Sequence, residues 1–252
     1  MFKLIKYELK GYYKDFAILL GIVAFLNLLL FTRINSWSVE ALIGISIMVS
    51  FAALVAVFMW NINLFSRDLY QDSGYLMYTL PQKGYSILGS KVLTALIQNI
   101  IVGFVALTFN FIMVTLTISN WSQRLSEVLS YTTPGFIALC IISVLIGGIY
   151  FLSTIYFSIA LGKVALKKKK LGKFGSFIIF VVISMITGKV TDLAANIFPQ
   201  ILSVNMASAH VQATMSGIPV VPINIAVLVV SALLFTGLFL GTSYLIENKI
   251  DL

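Results

Sequence analysis

Charged side chains are scarce in this chain. Asp, Glu, Lys and Arg make up 10% of its 252 residues, whereas 60% are apolar. Soluble domains carry about 25% charged residues, so too few polar groups are present here to cover a globule in water. That excludes a soluble globular class. Cysteine is reduced to Cys140 alone, which rules out an intrachain disulfide and a cysteine-based metal cluster. Its place within an apolar run points to packing rather than chemistry. Histidine is equally sparse. His210 stands alone and no HExxH pattern occurs, so a zinc-peptidase site has no ligand set. The nine carboxylates form no evident acid pair in the apolar runs, which leaves a catalytic dyad without candidates.

What the chain has in abundance is uninterrupted apolar sequence. Runs of about 18 or more residues with few charges read as membrane-spanning helices. Six are expected, at roughly 16–32, 41–65, 92–118, 135–161, 174–198 and 223–245. The fold class is therefore all-α, a polytopic membrane protein with a single transmembrane domain over residues 1–252. The second and third runs exceed the ~20 residues that a crossing requires, which permits tilt. Pro134–Gly135 opens the fourth span, since proline suits a helix's first turn.

Ahead of the first span, residues 2–15 read as an amphipathic helix. At about 100° per residue, Lys3, Lys6, Lys10 and Lys14 share a sector of about 80°, and Phe2, Ile5, Leu9, Tyr12 and Phe16 share another. An interfacial helix is expected, lysines towards lipid headgroups and aromatics towards the acyl boundary. These lysines mimic the start of a secretion signal, but residues 32–38 (TRINSWS) offer no small-x-small cleavage site. The first span is expected to be retained. Lys and Arg then set the orientation. With the N-terminus in the cytoplasm, 14 of the 17 fall on the inner side, and Arg33, Arg124 and Lys189 on the outer. Both termini are expected in the cytoplasm. The densest basic patch, Lys167–Lys170, falls in a short inner loop, where topology-setting lysines belong. A lysine near an anionic leaflet gains about 1 kcal/mol, so lipid is the expected partner of these charges, and nucleic acid is not.

The fifth span is irregular. Lys189 and Asp192 interrupt its outer half, at i and i+3, where they could pair on one helix face. A charge at the centre of a span costs about 2.5–3.5 kcal/mol, so both belong near the outer surface or in a wet cavity. With Asn196 they are candidates for an outer gate. The stretch up to Pro222 is too apolar for a plain external loop, and residues 190–216 are expected as a re-entrant helical hairpin in the outer leaflet. Asn27, Asn61, Asn63, Gln98, Asn99 and Asn110 are polar residues within spans. Asn27, Asn61 and Asn63 are candidates to line a pathway, while hydrogen bonding between helices is the commoner use of such residues. Gly84–Lys91 (GYSILGSK) nearly fits a phosphate-binding loop, but Ser90 precedes Lys91 and the required Lys-Ser/Thr order is missing. ATP binding by this chain itself is not expected.

One stretch between the second and third spans, Arg67–Pro81 (RDLYQDSGYLMYTLP), is aromatic, amphipathic and lightly charged. It reads as a short cytoplasmic docking helix over 67–81. With its surroundings it resembles the cytoplasmic segment of type-2 ABC exporter permeases: an acidic-glycine turn (Asp72–Gly74), an aliphatic residue (Leu76), Thr-Leu-Pro (Thr79–Pro81), then Lys91 in the third span. The N-terminal amphipathic helix, six spans and outer hairpin are similar to that family as well, so the resemblance covers the whole chain. It implies that 67–81 is a coupling helix entering a cleft on the ATPase, with Asp68, Tyr70, Asp72, Tyr75, Leu76 and Tyr78 as contacts. It further implies a second permease chain, either a homodimer partner or a sister permease, and two separate ABC ATPase subunits that bind ATP and Mg²⁺. No cofactor is then expected in this chain, and it is not itself an enzyme. Alternating access would move the substrate out across a bacterial cytoplasmic membrane. Small permeases of this type resemble exporters of amphipathic or antimicrobial peptides, bacteriocins and phenol-soluble modulins among them. The rival expectation is an ion- or proton-coupled carrier acting without an ATPase, which calls for ionisable residues at the membrane midplane.

Overall fold

In hydrocarbon a chain must satisfy its backbone polar groups internally, and a helix does so within one segment. The computed structural model turns each apolar run into one long helix. It describes residues 2–70, 83–165, 172–205 and 220–249. The helices are α1 (Phe2–Gly11), α2 (Tyr13–Phe31), α3 (Val39–Tyr70), α4 (Gly84–Thr117), α5 (Trp121–Tyr131), α6 (Pro134–Ala165), α7 (Gly172–Ile197) and α8 (Ile225–Asn248). Two strands, β1 (Ile201–Asn205) and β2 (Val220–Asn224), separate the last two helices. Among these, α2, α3, α4, α6, α7 and α8 are each long and apolar enough to cross a membrane. The protein is a multi-pass α-helical membrane protein.

Several elements differ from the sequence expectation. Helix α4 begins at Gly84, not near residue 92, and α3 continues to Tyr70. At 1.5 Å per residue, the 32 residues of α3 reach about 48 Å against a hydrocarbon thickness of about 30 Å. Its polar end, with Arg67 and Asp68, can therefore stand clear of the lipid. Helix α5 was not expected. Asn120 takes φ 62°, a left-handed conformation that asparagine tolerates, and its carbonyl accepts from the N–H groups of Gln123 and Arg124. Trp121 meets Phe111 edge to face at 5.1 Å, which anchors the new helix to the end of α4.

The re-entrant helical hairpin expected over 190–216 is only in part described, and that part is not all helix. Helix α7 ends at Ile197, because Pro199 disfavours helical geometry at the residue before it. Residues 201–205 are extended and pair antiparallel with β2, Ile201 opposite Asn224 and Asn205 opposite Val220. Residues 206–219, which include His210, lie outside the described residues. Asn224 joins the surrounding ends. Its side-chain Oδ1 accepts from the Val227 N–H and so caps α8, while its Nδ2 donates to the Phe198 carbonyl at 3.0 Å just past α7.

The chain divides into two compact units, Met1–Leu64 with Gly89–Arg124, and Phe65–Leu88 with Leu125–Leu252. In the first, Val23, Ala53, Val57 and Val102 pack α2, α3 and α4 into a common core, and Leu30, Leu42 and Met113 form another. In the second, α6, α7 and α8 pack together. Here the contact surface of α6 is built from small side chains. Thr154, Ser158 and Gly162 recur every four residues and all are buried, so neighbouring backbones approach closely, as small-xxx-small stripes allow in membranes. A Cβ at Gly162 would collide with Ser176 Oγ and lie 3.2 Å from Ser176 Cα on α7. By contrast the other half of α6 is exposed, Ile141, Ile142, Val144 and Ile146 with it. Cys140 is exposed there too, although its place in an apolar run had suggested packing.

Gly162→Val is therefore predicted to force α6 and α7 apart, at about 1–3 kcal/mol for overpacking, and to lower the thermal unfolding midpoint in detergent. Gly148→Ala on the same helix, with nothing within 4 Å of the new Cβ, should leave the midpoint unchanged or raise it.

Candidate functional site

The residues on either side of 71–82 are held in place by the second unit. At the end of α3, Leu69 is fully buried and Ser66 nearly so. Phe65 stacks on Tyr156 of α6 with ring centroids 4.0 Å apart and planes 20° from parallel. Tyr70 ends the helix with its hydroxyl 3.1 Å from Ser176 Oγ of α7. The Lys163 ammonium, in the last turn of α6, lies 5.1 Å from the centre of the Tyr70 ring, within reach of a cation–π attraction. Two helices thus grip one tyrosine.

The start of α4 is gripped by α8. The Gly84 N–H donates to Glu247 Oε2 at 3.2 Å. A carboxylate in the last turn of a helix faces unfavourable partial charge, so Glu247 is poorly placed for α8 itself. For α4 it is well placed, since it meets one of the orphan N–H groups at that helix's positive end. Gly84 is required by the approach: a Cβ there would come within 2.6 Å of the Ser243 carbonyl oxygen. Ile87 and Leu88 are buried immediately beyond. Of the coupling residues expected from sequence, Asp68 and Tyr70 belong to the last turn of α3 and are half-buried. Asp72, Tyr75, Leu76 and Tyr78 lie outside the described residues, as do Lys167–Lys170.

Lys91 makes the other polar tie. Its ammonium lies 3.1 Å from Glu8 Oε1 of α1, and the two side chains are 7% and 15% exposed. A buried charge without a partner is expensive, and removing one member of such a pair typically costs about 3–5 kcal/mol. Glu8 was not singled out in the sequence. The available signal was that Lys91 directly precedes an apolar run and needs a carboxylate if buried, and Glu8 is the acidic residue on α1.

Among the outer-gate candidates, Lys189, Asp192 and Asn196 are all exposed along the last turns of α7. Among the described residues no ion pair joins Lys189 to Asp192. Exposed pairs gain about 0–1 kcal/mol, which barely offsets the entropy of fixing two side chains. The pathway candidates separate. Asn63 is exposed on α3. Asn27 is fully buried; its Oδ1 accepts from Ser46 Oγ of α3 at 2.9 Å. Ser50, one turn on, donates to the Ser46 carbonyl and accepts from Asn110 Nδ2 of α4 at 2.6 Å. Asn61 donates to Gln98 Oε1 of α4 at 2.9 Å. The amides of Asn27 and Asn61 thus tie α2, α3 and α4 together. Among the described residues no group of three or more His, Cys, Asp or Glu could hold a metal ion.

No protein-family model, curated protein or solved structure matches this chain.

If the Asn61–Gln98 bond joins α3 to α4, a double-mutant cycle with Asn61→Ala and Gln98→Ala should show a coupling energy. Interhelical hydrogen bonds in membranes average about 0.6 kcal/mol and reach ~1.7 kcal/mol. Unfolding equilibria in mixed micelles would measure it, and strictly additive single mutants would show that the two amides do not depend on each other.

Proposed function

We propose that this chain is the permease subunit of an ATP-driven exporter, coupled through Arg67–Pro81 to an ATPase on a separate chain. The observation that carries this reading is the fastening of both flanks of that segment. Tyr70 is held by Ser176 and Lys163, and Gly84 by Glu247. Tyr70 and Gly84, the flanking residues, are thus tied to α6, α7 and α8. A push on the segment between them reaches three spans, which is what a lever between an ATPase and a transport path requires. The likeness of Asp72–Gly74, Leu76 and Thr79–Pro81 to the coupling segment of type-2 exporter permeases supports the same reading.

In this proposal, ATP binding closes two ATPase subunits. They displace the coupling segments of two permease chains, identical or sister. The spans then alternate between inward and outward access. Chemistry stays in the partner, and the chain contributes docking, leverage and path. The substrate class is amphipathic peptide of the antimicrobial, bacteriocin or modulin type, exported across a bacterial cytoplasmic membrane. Inner placement of both termini is supported by the 14 Lys and Arg that fall on that side.

Two variants separate docking from leverage. Tyr75→Ala with Leu76→Ala removes apolar anchors of the kind that dominate interfaces, each worth about 2 kcal/mol at a hot spot. Recovery of the ATPase with the purified permease should fall at least about tenfold. Undiminished recovery near the dissociation constant would move the contact elsewhere. Glu247→Ala leaves that surface intact but frees the start of α4. ATPase recovery should hold while substrate-stimulated ATP turnover drops, and wild-type turnover would refute the lever.

A further inference from the structure

A hydroxyl on a membrane-crossing helix has a ready partner, the carbonyl one turn back on its own helix. Thr108, Thr117, Thr154 and Thr242 all take it, each donating to the carbonyl four residues earlier at between 2.7 and 2.9 Å. Two buried hydroxyls do not. Among the described residues, Thr94 Oγ1 of α4 and Ser153 Oγ of α6 have no hydrogen-bond partner. Thr94 is only 4% exposed, and an unanswered hydroxyl so buried destabilises the fold. Turning away from the Ser90 carbonyl therefore calls for another partner.

The company of Thr94 shows what that partner is. At about 100° per residue, Ser90, Lys91, Thr94 and Gln98 share a sector of about 100° on α4, and all four are buried. Glu8 of α1 lies 3.1 Å from the Lys91 ammonium, and Asn61 of α3 donates to Gln98 Oε1. An ammonium carries three donors and a side-chain amide two, while a carboxylate accepts at either oxygen. Thr94 sits between these groups, about 4.5 Å along the helix axis from Lys91 and about 6 Å from Gln98.

We infer that Thr94 Oγ1 holds a single internal water, which bridges it to the Lys91–Glu8 pair on one side and the Gln98 amide on the other. Two hydrogen bonds of about 2.8 Å set the partners of a water about 4.5–5.5 Å apart, the spacing that one helical turn provides. Buried waters make two to four hydrogen bonds, and Thr94, Lys91, Glu8 and Gln98 offer four. Charge selects a neutral occupant: Lys91 repels a metal ion, and Glu8 repels an anion. Water also has a way in. The 34 residues of α4 reach about 51 Å against about 30 Å of hydrocarbon, and Thr94 lies about 15 Å from the start. The water extends the solvation of a buried ion pair along α4. The inference concerns the first unit alone and is independent of any ATPase.

The test replaces Thr94 with Val in the full chain, which keeps the branched shape and removes the hydroxyl. In mixed micelles the folded-to-unfolded ratio should fall about fivefold or more, the worth of one hydrogen bond to a buried partner. Thr242→Val is the control, since that hydroxyl bonds only its own helix, and its ratio should stay within about twofold. A crystal structure of the wild-type protein should show density about 2.8 Å from Thr94 Oγ1. This second measurement decides the matter even if the Val variant fails to fold. An unchanged or raised ratio for Thr94→Val would overturn the inference, because the hydroxyl would then be unanswered. So would a wild-type structure in which Lys91 or Gln98 touches Thr94 Oγ1 directly, with no density between them.

Discussion

A side-chain amide or hydroxyl at membrane depth has no water to turn to, so it is answered by another part of the chain or it destabilises the fold. The first unit is organised by that constraint. Ser46 and Ser50 of α3 lie one turn apart and meet Asn27 of α2 on one side and Asn110 of α4 on the other. Further along, Asn61 and Gln98 join α3 to α4 again. The cores around Val57 and Met113 supply dispersion contacts, but lipid tails offer an apolar side chain nearly as much. What distinguishes the observed register of these helices from a rotated one is that rotation would break the bonds between helices and leave each Asn only the carbonyl one turn back on its own helix.

The second unit holds its helices by a different means. Thr154, Ser158 and Gly162 let α7 come against α6 with Ser176 at the contact, and the hydroxyls of Thr154 and Ser158 are satisfied within α6 itself by the carbonyls one turn back. Close approach of α6 and α7 brings Lys163 and Ser176 together around the end of α3. Tyr70 reaches Ser176, the residue against which Gly162 packs, and Gly84 reaches Glu247 because its own lack of a Cβ admits the Ser243 carbonyl. The packing stripe and the seat of Tyr70 therefore share Ser176. Enlarging Gly162 would alter not only stability but also the surface on which Tyr70 is seated.

Much of the fold was legible. Six spans follow from apolar runs whose length leaves little choice of structure, and their number and order match the helices found. What the sequence reading misplaced lies where tertiary contacts decide. Helix α4 begins at Gly84 because Glu247 of α8 caps it, a partner more than 160 residues away. Helix α5 has an amphipathic pattern (WSQRLSEVLSY), but it is too short to register beside the spans. The strands at 201–205 and 220–224 have apolar sequences that suit helix or strand equally, so only Pro199 hinted that the helix stops. Asn224, directly before an apolar run, carried a readable N-cap signal. Within the candidate site, the sequence draws attention to Tyr70, but its seating against Lys163 of α6 and Ser176 of α7 is not readable there. Asn27 and Asn61 were legible as polar residues in spans, but only their partners tell what they do.

The few charges of the chain give the last piece of reasoning. With nine carboxylates in 252 residues, a glutamate near apolar helices needs a specific reason to be there. Glu8 neutralises a lysine that is only 7% exposed on α4. Glu247 occupies the wrong end of its own helix and the right end of another. In both cases the local sequence is a poor host and the distant partner a good one, so neither position follows from propensity. Each acid instead marks a joint, α1 to α4 and α8 to α4, and the two joints converge on the helix that leads out of residues 71–82. Helix α4 is thus tied by charge near its start and again two turns later. One tie is a backbone hydrogen bond to a carboxylate and the other an ion pair, and both fix the register of α4 more sharply than apolar contacts do.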